Sequence, residues 1–221
     1  LGDVYKRQIQ PSQADYFQAV KGGGHGDYHL IALAPASGQE MADFVALGFD
    51  LAFKYRNPAI ILADGIIGQM MEKVVLPPFR KRRTEEEIRE QNPWATLGKT
   101  KNRKRNVITS LELDPAIMEQ NNIRFQSTYK RISENEVRFE EINCENADYL
   151  IVAFGSMSRI CQKTIELAAE EGIKIGLLRP ITLWPFPTEA IARHANHVKG
   201  ILSALSLIHI SEPPRPEPIS Y

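Results

Sequence analysis

Three features of this 221-residue sequence predict an α/β fold with parallel strands: short apolar runs suited to strands buried on both faces, helical-period segments between them, and Gly, Pro, Asp and Asn at the joints. Leu30 to Leu33 is an apolar run closed by Pro35. Ser37 followed by Glu40 makes a capping-box signature, and Met41, Val45, Gly48, Leu51, Ala52 and Tyr55 then share one helical face. After Asn57-Pro58, the branched run Ala59 to Ala63 reads as the next strand, ended by the Asp64-Gly65 turn. A second strand–helix–strand unit runs from Asp148: strand Tyr149 to Phe154, turn Gly155-Ser156, helix Ser158 to Glu171 stopped by Gly172, and strand Ile173 to Leu178. RPITLWPFP breaks the pattern, and Thr188 can cap one more helix through Ala195.

Between the units lies a charged stretch from Arg80 to Ala147. Glu85 to Gln91 is helical in composition. A longer helix is expected from Pro115 to Ile142, with Met118, Phe125, Ile132 and Phe139 at seven-residue intervals and Tyr129 beside them, as in an arm packed against a domain or a partner. The domains expected are therefore residues 9–79, a charged helical linker 80–147 and residues 148–204. The first eight residues, LGDVYKRQ, and the last seventeen, LSLIHISEPPRPEPISY, show no core pattern. Both resemble translated adapter sequence and are expected to be artefacts (1–8 and 205–221), leaving a piece of a longer chain.

Composition excludes several classes. Hydrophobic residues make up 43%, enough for a sizeable core, and the formal net charge of zero speaks against a dedicated nucleic-acid or anionic-membrane binder. Apolar runs such as LIALAPA and AIILADGII are far shorter than a membrane span. Cys144 and Cys161 are too few to ligate an iron–sulfur cluster and suit no oxidising compartment, so a cytoplasmic protein is expected. Gly98-Lys99-Thr100 lacks the upstream glycine and strand of a P-loop. The basic runs Arg80 to Arg83 and Lys99 to Arg105 read as solvated surface. His25 and His29 without a third ligand suit a hydrogen-bonded structural role better than a metal site, so no metal is expected. Gly155-Ser156 stands at a helix start where a phosphate can bind, but the dinucleotide glycine pattern is absent and a tight turn fits better.

The most informative stretch is QPSQADYFQAVKGGGHGDY, residues 10–28. Gly22, Gly23 and Gly24 permit backbone angles and close approaches that a side chain would block, and Gln10, Ser12, Gln13, His25 and Asp27 load the loop with polar groups. This string, with LAPAS and ADGIIGQMME, resembles the alpha-type subunit of the 2-oxoacid:ferredoxin oxidoreductases, and within them the 3-methyl-2-oxobutanoate (2-ketoisovalerate) enzyme. PWATLGKTKNRKRN and ENEVRFEEI resemble that family's linker, and ADYLIVAFGS with GIKIGLLRPITLWPFP the start of its second domain. The resemblance covers residues 9 to 203.

The resemblance implies the C-terminal half of a thiamine-diphosphate-binding, pyrimidine-type domain, then a helical linker and the start of a transketolase-C-terminal-like parallel α/β domain. It implies oxidative decarboxylation of a 2-oxoacid to its acyl-CoA, with electrons passed to ferredoxin. Thiamine diphosphate would be shared with a diphosphate-binding beta-type subunit. Magnesium and the iron–sulfur clusters are expected on partner subunits, gamma-type included, with coenzyme A as co-substrate. The family's activating glutamate, its substrate-side motif and its arginine-glycine loop match nothing from Ile9 onward, so no catalytic residue is expected here. Glu40 reads as a cap, and Glu72 follows a strand. Gln10, Ser12 and Gln13 are expected near substrate, Gly23, Gly24, His25, Gly26 and Asp27 as the adjoining wall, and Arg179 as an interdomain anchor. The fragment alone is expected to be inactive. The alternatives are a pyruvate or 2-oxoglutarate member, another transketolase- or dehydrogenase-type thiamine enzyme, and a non-catalytic assembly module.

Overall fold

The computed structural model describes residues 14–24, 28–98, 105–109 and 111–205. In order these form α1 (Ala14–Lys21), β1 (Ile31–Leu33), α2 (Gly38–Tyr55), β2 (Ala59–Ile61), α3 (Gly65–Gln69), α4 (Glu85–Gln91), α5 (Pro115–Asn135), β3 (Phe139–Ile142), β4 (Tyr149–Ala153), α6 (Gly155–Glu170), β5 (Ile175–Pro180), β6 (Thr182–Trp184), α7 (Thr188–Ala195) and β7 (Gly200–Ala204). The chain divides into two compact units, residues 1–76 with 128–221, and residues 77–127.

The larger unit holds two mixed sheets. One has the order β2-β1-β6, with β1 parallel to β2 and antiparallel to β6; the other has the order β3-β5-β4-β7, parallel except for the β3–β5 pair. Ser37 caps α2 by accepting from the Glu40 amide at 3.2 Å, and Gly48, Leu51 and Tyr55 turn its inner face to the first sheet. Ala19, Val20, Ala32, Ala34 and Leu183 form a cluster between α1 and the sheet, while Ile31, Leu51, Tyr55, Tyr129 and Ile132 form another with α2 and α5. Period-two alternation does the same for the second sheet. Ile151 and Leu177 pack with Cys161 and Ile165 of α6, whereas the adjacent Leu150 and Leu178 pack with Ala190 of α7. Each such large side chain, removed from water, contributes about 1.5–3 kcal/mol.

Two expectations differ from the structure. The helix from Pro115 stops at Asn135, and Phe139, the last residue of the seven-residue series, lies in β3. Hydrogen bonding to β5 decides this: Phe139–Ile142 pair with Leu177–Pro180, a partner distant in sequence that overrides the local helical pattern. The proline-rich RPITLWPFP is not merely a break, since Thr182–Trp184 supply β6 to the first sheet. Boundaries also move, with β2 ending at Ile61 and β4 at Ala153. Helix α6 begins at Gly155, β5 begins at Ile175, and Pro187 rather than Thr188 stands at the cap of α7.

At the end of α5 the Glu136 carboxylate, 3% exposed, receives Lys54 Nζ at 2.6 Å, Tyr55 Oη at 2.7 Å and Arg138 Nη2 at 2.9 Å. Burial pushes this carboxyl up, but the three hydrogen bonds outweigh it and hold the group below its ordinary value. One carboxylate thereby fastens α2 to the turn that leads into β3.

The 77–127 unit is held by local hydrogen bonds. Thr84 and Glu87 form a reciprocal capping box at α4, with Thr84 N to Glu87 Oε2 at 2.8 Å and Glu87 N to Thr84 Oγ1 at 3.3 Å. Asn106 Nδ2 donates to Pro93 O and Ala95 O, and Asp114 Oδ1 accepts from Ala116 N where α5 starts. Among its described residues only Asn92 is buried, so no apolar side chain there forms a core.

Glu136→Ala should lower the unfolding free energy by about 1–3 kcal/mol, because it leaves the buried Tyr55 hydroxyl without its acceptor. A folded pKa below the unfolded one gives stability that is full above the ordinary value of 4.5 and lost as pH falls through the lower folded value. Urea titrations across that range should therefore show a flatter acid limb in Glu136→Gln than in the parent.

Candidate functional site

The glycine turn follows directly from α1. Gly22 takes a left-handed backbone with φ 96°, and the Gly23 amide donates to the Tyr28 hydroxyl at 2.7 Å, closing the mouth of the loop from both sides. A Cβ on Gly23 would stand 2.8 Å from Gln18 Cγ, whereas one on Gly24 would meet nothing within 4 Å. Gly22 and Gly23 are thus explained by conformation and packing, while Gly24 faces open space. Gln10, Ser12, Gln13, His25, Gly26 and Asp27 lie outside the described residues.

Below the loop, His29 stacks on the Trp184 indole with ring centroids 4.8 Å apart, nearly parallel, and its ring meets Tyr129 edge-on at 5.1 Å. Its Nδ1 is buried without a protein hydrogen-bond partner. The expected structural role is therefore carried by ring stacking and not by a hydrogen bond from that nitrogen, because the flat imidazole is held between two larger rings. No three His, Cys, Asp or Glu side chains gather as a metal site among the described residues.

Three carboxylates that follow β1 and β2 are each committed to a partner. Glu40 Oε2 accepts from the Ala36 amide at 2.7 Å, one residue before the Ser37 amide that a capping box would use, and Glu40 Oε1 pairs with Arg179 at 2.6 Å. Arg179 is buried and also meets Glu140 at 3.2 Å, so it ties the 9–79 segment to the second sheet. Asp64 Oδ2 accepts from Ser156 N at 2.6 Å and Ser156 Oγ at 2.7 Å. Gly155 there has φ 62°, and a Cβ on it would collide with the Asp64 carboxylate. The α6 N-terminus, considered above for a phosphate, is filled by an anion of the chain itself. Glu72 accepts from the Gly38 amide at 2.7 Å and pairs with Arg159, and these two contacts hold its carboxyl below the usual range. It follows the short helix α3 and not a strand as expected.

Burial pushes the Cys144 and Cys161 thiols up, and both remain free. The Cys144 thiol donates to Leu177 O at 3.1 Å, which makes it a core residue and not a nucleophile.

Residues 6–142 match the family model described as pyruvate flavodoxin/ferredoxin oxidoreductase, thiamine diP-bdg, and residues 147–208 match that of pyruvate:ferredoxin oxidoreductase core domain II. The chain belongs to the 2-oxoacid:ferredoxin oxidoreductase family. It is 49% identical to the ketoisovalerate oxidoreductase subunit VorB of Methanothermobacter marburgensis over 85% of this chain and 52% of that one. It is 34% identical to the 2-oxoglutarate synthase subunit KorA of Archaeoglobus fulgidus over 84% of this chain and 52% of that one. The chain spans about half the length of the curated relatives it matches. Its fold is that of a 2-oxoglutarate:ferredoxin oxidoreductase from Magnetococcus marinus, solved with 2-oxoglutarate, coenzyme A and succinyl-CoA bound, with a TM-score of 0.67 at 23% identity over 87% of this chain and 37% of that one. The α/β class read from the sequence, a thiamine-diphosphate-type domain followed by a second α/β domain, is therefore the fold of this family member, but its sheets are mixed and not wholly parallel, because β6 joins the first sheet and β3 the second as antiparallel edge strands.

The described residues do not fit the activating end of thiamine diphosphate. That end requires a free carboxylate against the aminopyrimidine, and Glu40, Asp64 and Glu72 are all engaged with amides, a hydroxyl or arginines. In the sequence Glu40 looks like a cap and Glu72 like a residue after a strand, and the Asp64–Ser156 clasp leaves no local mark, because Asp64-Gly65 looks like any turn. Only the acid-plus-glycine pairing across 92 residues in sequence carries that signal.

Gly22→Ala should destabilise the chain by about 1–2 kcal/mol, the left-handed backbone being unfavourable for a side chain. Gly24→Ala should leave the denaturation midpoint unchanged. Parallel guanidinium titrations of the two variants check both statements.

Proposed function

We propose that this chain is part of the alpha-type subunit of a thiamine-dependent oxidoreductase that oxidatively decarboxylates 3-methyl-2-oxobutanoate to its acyl-CoA and passes electrons to ferredoxin. The observation that carries this reading is the gap in identity: 49% to a ketoisovalerate oxidoreductase subunit against 34% to a 2-oxoglutarate synthase subunit, over nearly equal spans. The difficult chemistry belongs to the cofactor, and no step of it falls to a described residue. What the chain contributes is shape. Gln10, Ser12 and Gln13 line the substrate side, and Gly23, Gly24, His25, Gly26 and Asp27 form the adjoining wall. Gly24, where an added Cβ would meet nothing within 4 Å, leaves room in this loop for close approach by a ligand.

Magnesium and the cofactor's diphosphate belong on the beta-type subunit in this proposal, the iron–sulfur clusters on further subunits including the gamma type, and coenzyme A enters as co-substrate. No described helix is long and apolar enough to cross a membrane, and a cytoplasmic setting with reduced thiols suits the same reading.

The test is co-expression with the partner subunits and measurement of coenzyme-A-dependent ferredoxin reduction. The expected kcat/KM for 3-methyl-2-oxobutanoate exceeds that for pyruvate or 2-oxoglutarate by about tenfold or more, the discrimination that a few buried methyl groups provide. Gly24→Ala should raise KM while stability stays the same. The chain alone should show no turnover. A preference for either other substrate overturns the substrate assignment, and co-purification with partners that bind no thiamine diphosphate would replace the catalytic reading with that of an assembly module.

A further inference from the structure

The second sheet reverses its winding at β4. That strand lies parallel to β5 on one side and to β7 on the other, and the helices that lead into those neighbours, α6 and α7, pack on opposite faces of the sheet. In open α/β sheets a ligand usually sits beyond the carboxyl end of the strand where this reversal occurs. Here that place is the turn Phe154-Gly155-Ser156, and side chains of the chain's own first segment stand against it.

Two contacts show this. Asp64, after β2, accepts from the Ser156 amide and hydroxyl at 2.6 and 2.7 Å. Tyr16, in α1, stacks on Phe154 with ring centroids 5.8 Å apart and planes 20° from parallel. Phe154 follows the last residue of β4, yet it packs against the cluster of Ala19, Val20, Ala32, Ala34 and Leu183 that seats α1 on the first sheet. Gly155, at φ 62°, turns the chain into α6 immediately afterwards, so the ring stands at the end of the strand. Burial pushes the Tyr16 phenol up, so water is kept from the other side of the stack as well. On α1 the residues that face this cluster are Tyr16, Ala19 and Val20, at positions i, i+3 and i+4. A helix of eight residues has little stability of its own and takes its direction from what it packs on.

We propose that Phe154 is a positioning residue for the glycine turn. It fixes α1 through Tyr16, and the turn begins at Gly22, directly after the last residue of α1, so the second sheet sets where the turn stands. The coupling rests on geometry alone. Its effect on catalysis rests on the proposed function, in which the turn borders the substrate.

The experiment measures hydrogen exchange by mass spectrometry in the whole 221-residue chain and, in the co-expressed assembly, kcat and KM for 3-methyl-2-oxobutanoate. Phe154→Leu keeps an apolar side chain but removes the ring, and should make the amides of residues 14–24 exchange about tenfold faster while those of β5 and α7 stay as they are. Tyr16→Leu should give the same local pattern from the other side of the contact. The double variant should exchange no faster than either single one, because both remove one interaction. Tyr16→Phe keeps the stack and should match the parent. In the assembly Phe154→Leu should raise KM about fivefold and leave kcat within about twofold, as loss of a binding wall does. No change at residues 14–24, acceleration spread evenly over the chain, or additive effects in the double variant would each overturn the proposal. Faster exchange at 14–24 with KM unchanged would uphold the coupling and remove the turn from the substrate side.

Discussion

The rest of the larger unit depends on six residues, Arg179 to Trp184, in which the chain passes from one sheet to the other. Ile181 stands at the crossing: its amide donates to Arg138 O at 2.9 Å, and its carbonyl accepts from Ala34 N at 2.8 Å. Thr182, fully buried, accepts from Arg138 N through its hydroxyl at 2.9 Å and sends its own amide to Arg138 O. Without β6 the first sheet would be two strands of three residues each, too small to persist alone. With it, Leu183 enters the cluster under α1, and Trp184 reaches the other face to stack on His29. The glycine turn is therefore supported from below by a strand that comes from about 160 residues later in the chain.

The carboxylates reinforce the same junction by a different means. Glu40, Asp64 and Glu72 leave the first segment and meet Arg179, Ser156 and Arg159 of the second. Only the Arg179 contact is deeply shielded, so it is the one whose loss leaves an uncompensated charge in the interior. The exposed Arg159 pair is screened by water and positions more than it stabilises. Asp64 lies between these cases. It meets the positive end of α6 through two hydrogen bonds, an arrangement other proteins use to hold phosphate, and here the anion belongs to the chain.

Much of this was legible where the cause is local. Ala59 to Ala63 and Tyr149 to Ala153 read as strands because branched apolar runs between turn residues have few other uses, and Ser37 announced α2 through its cap. The misreadings occur where a distant partner decides. From Phe125 to Phe139 the seven-residue spacing continues, yet the backbone changes hands at Glu136, whose side chain goes to α2 while the residues after it go to β5. In RPITLWPFP the prolines argued against a strand, but Pro180 ends β5 and Pro185 follows Trp184, so neither removes a donor from the β6 pairing. The loop at 10–28 was recognised through its resemblance to a family, since a glycine turn by itself specifies no ligand.

The distribution of free and committed groups bears on how such a chain can act. A group that activates a cofactor has to be held in place yet remain chemically available, and Glu40, Asp64 and Glu72 are held without being available. What remains available is shape and surface: a loop closed at its mouth by the Gly23–Tyr28 hydrogen bond, an open Gly24, and exposed apolar side chains on α2 and in residues 77–127. These features gain meaning only when another surface is pressed against them, because an exposed phenylalanine stabilises nothing until water leaves it.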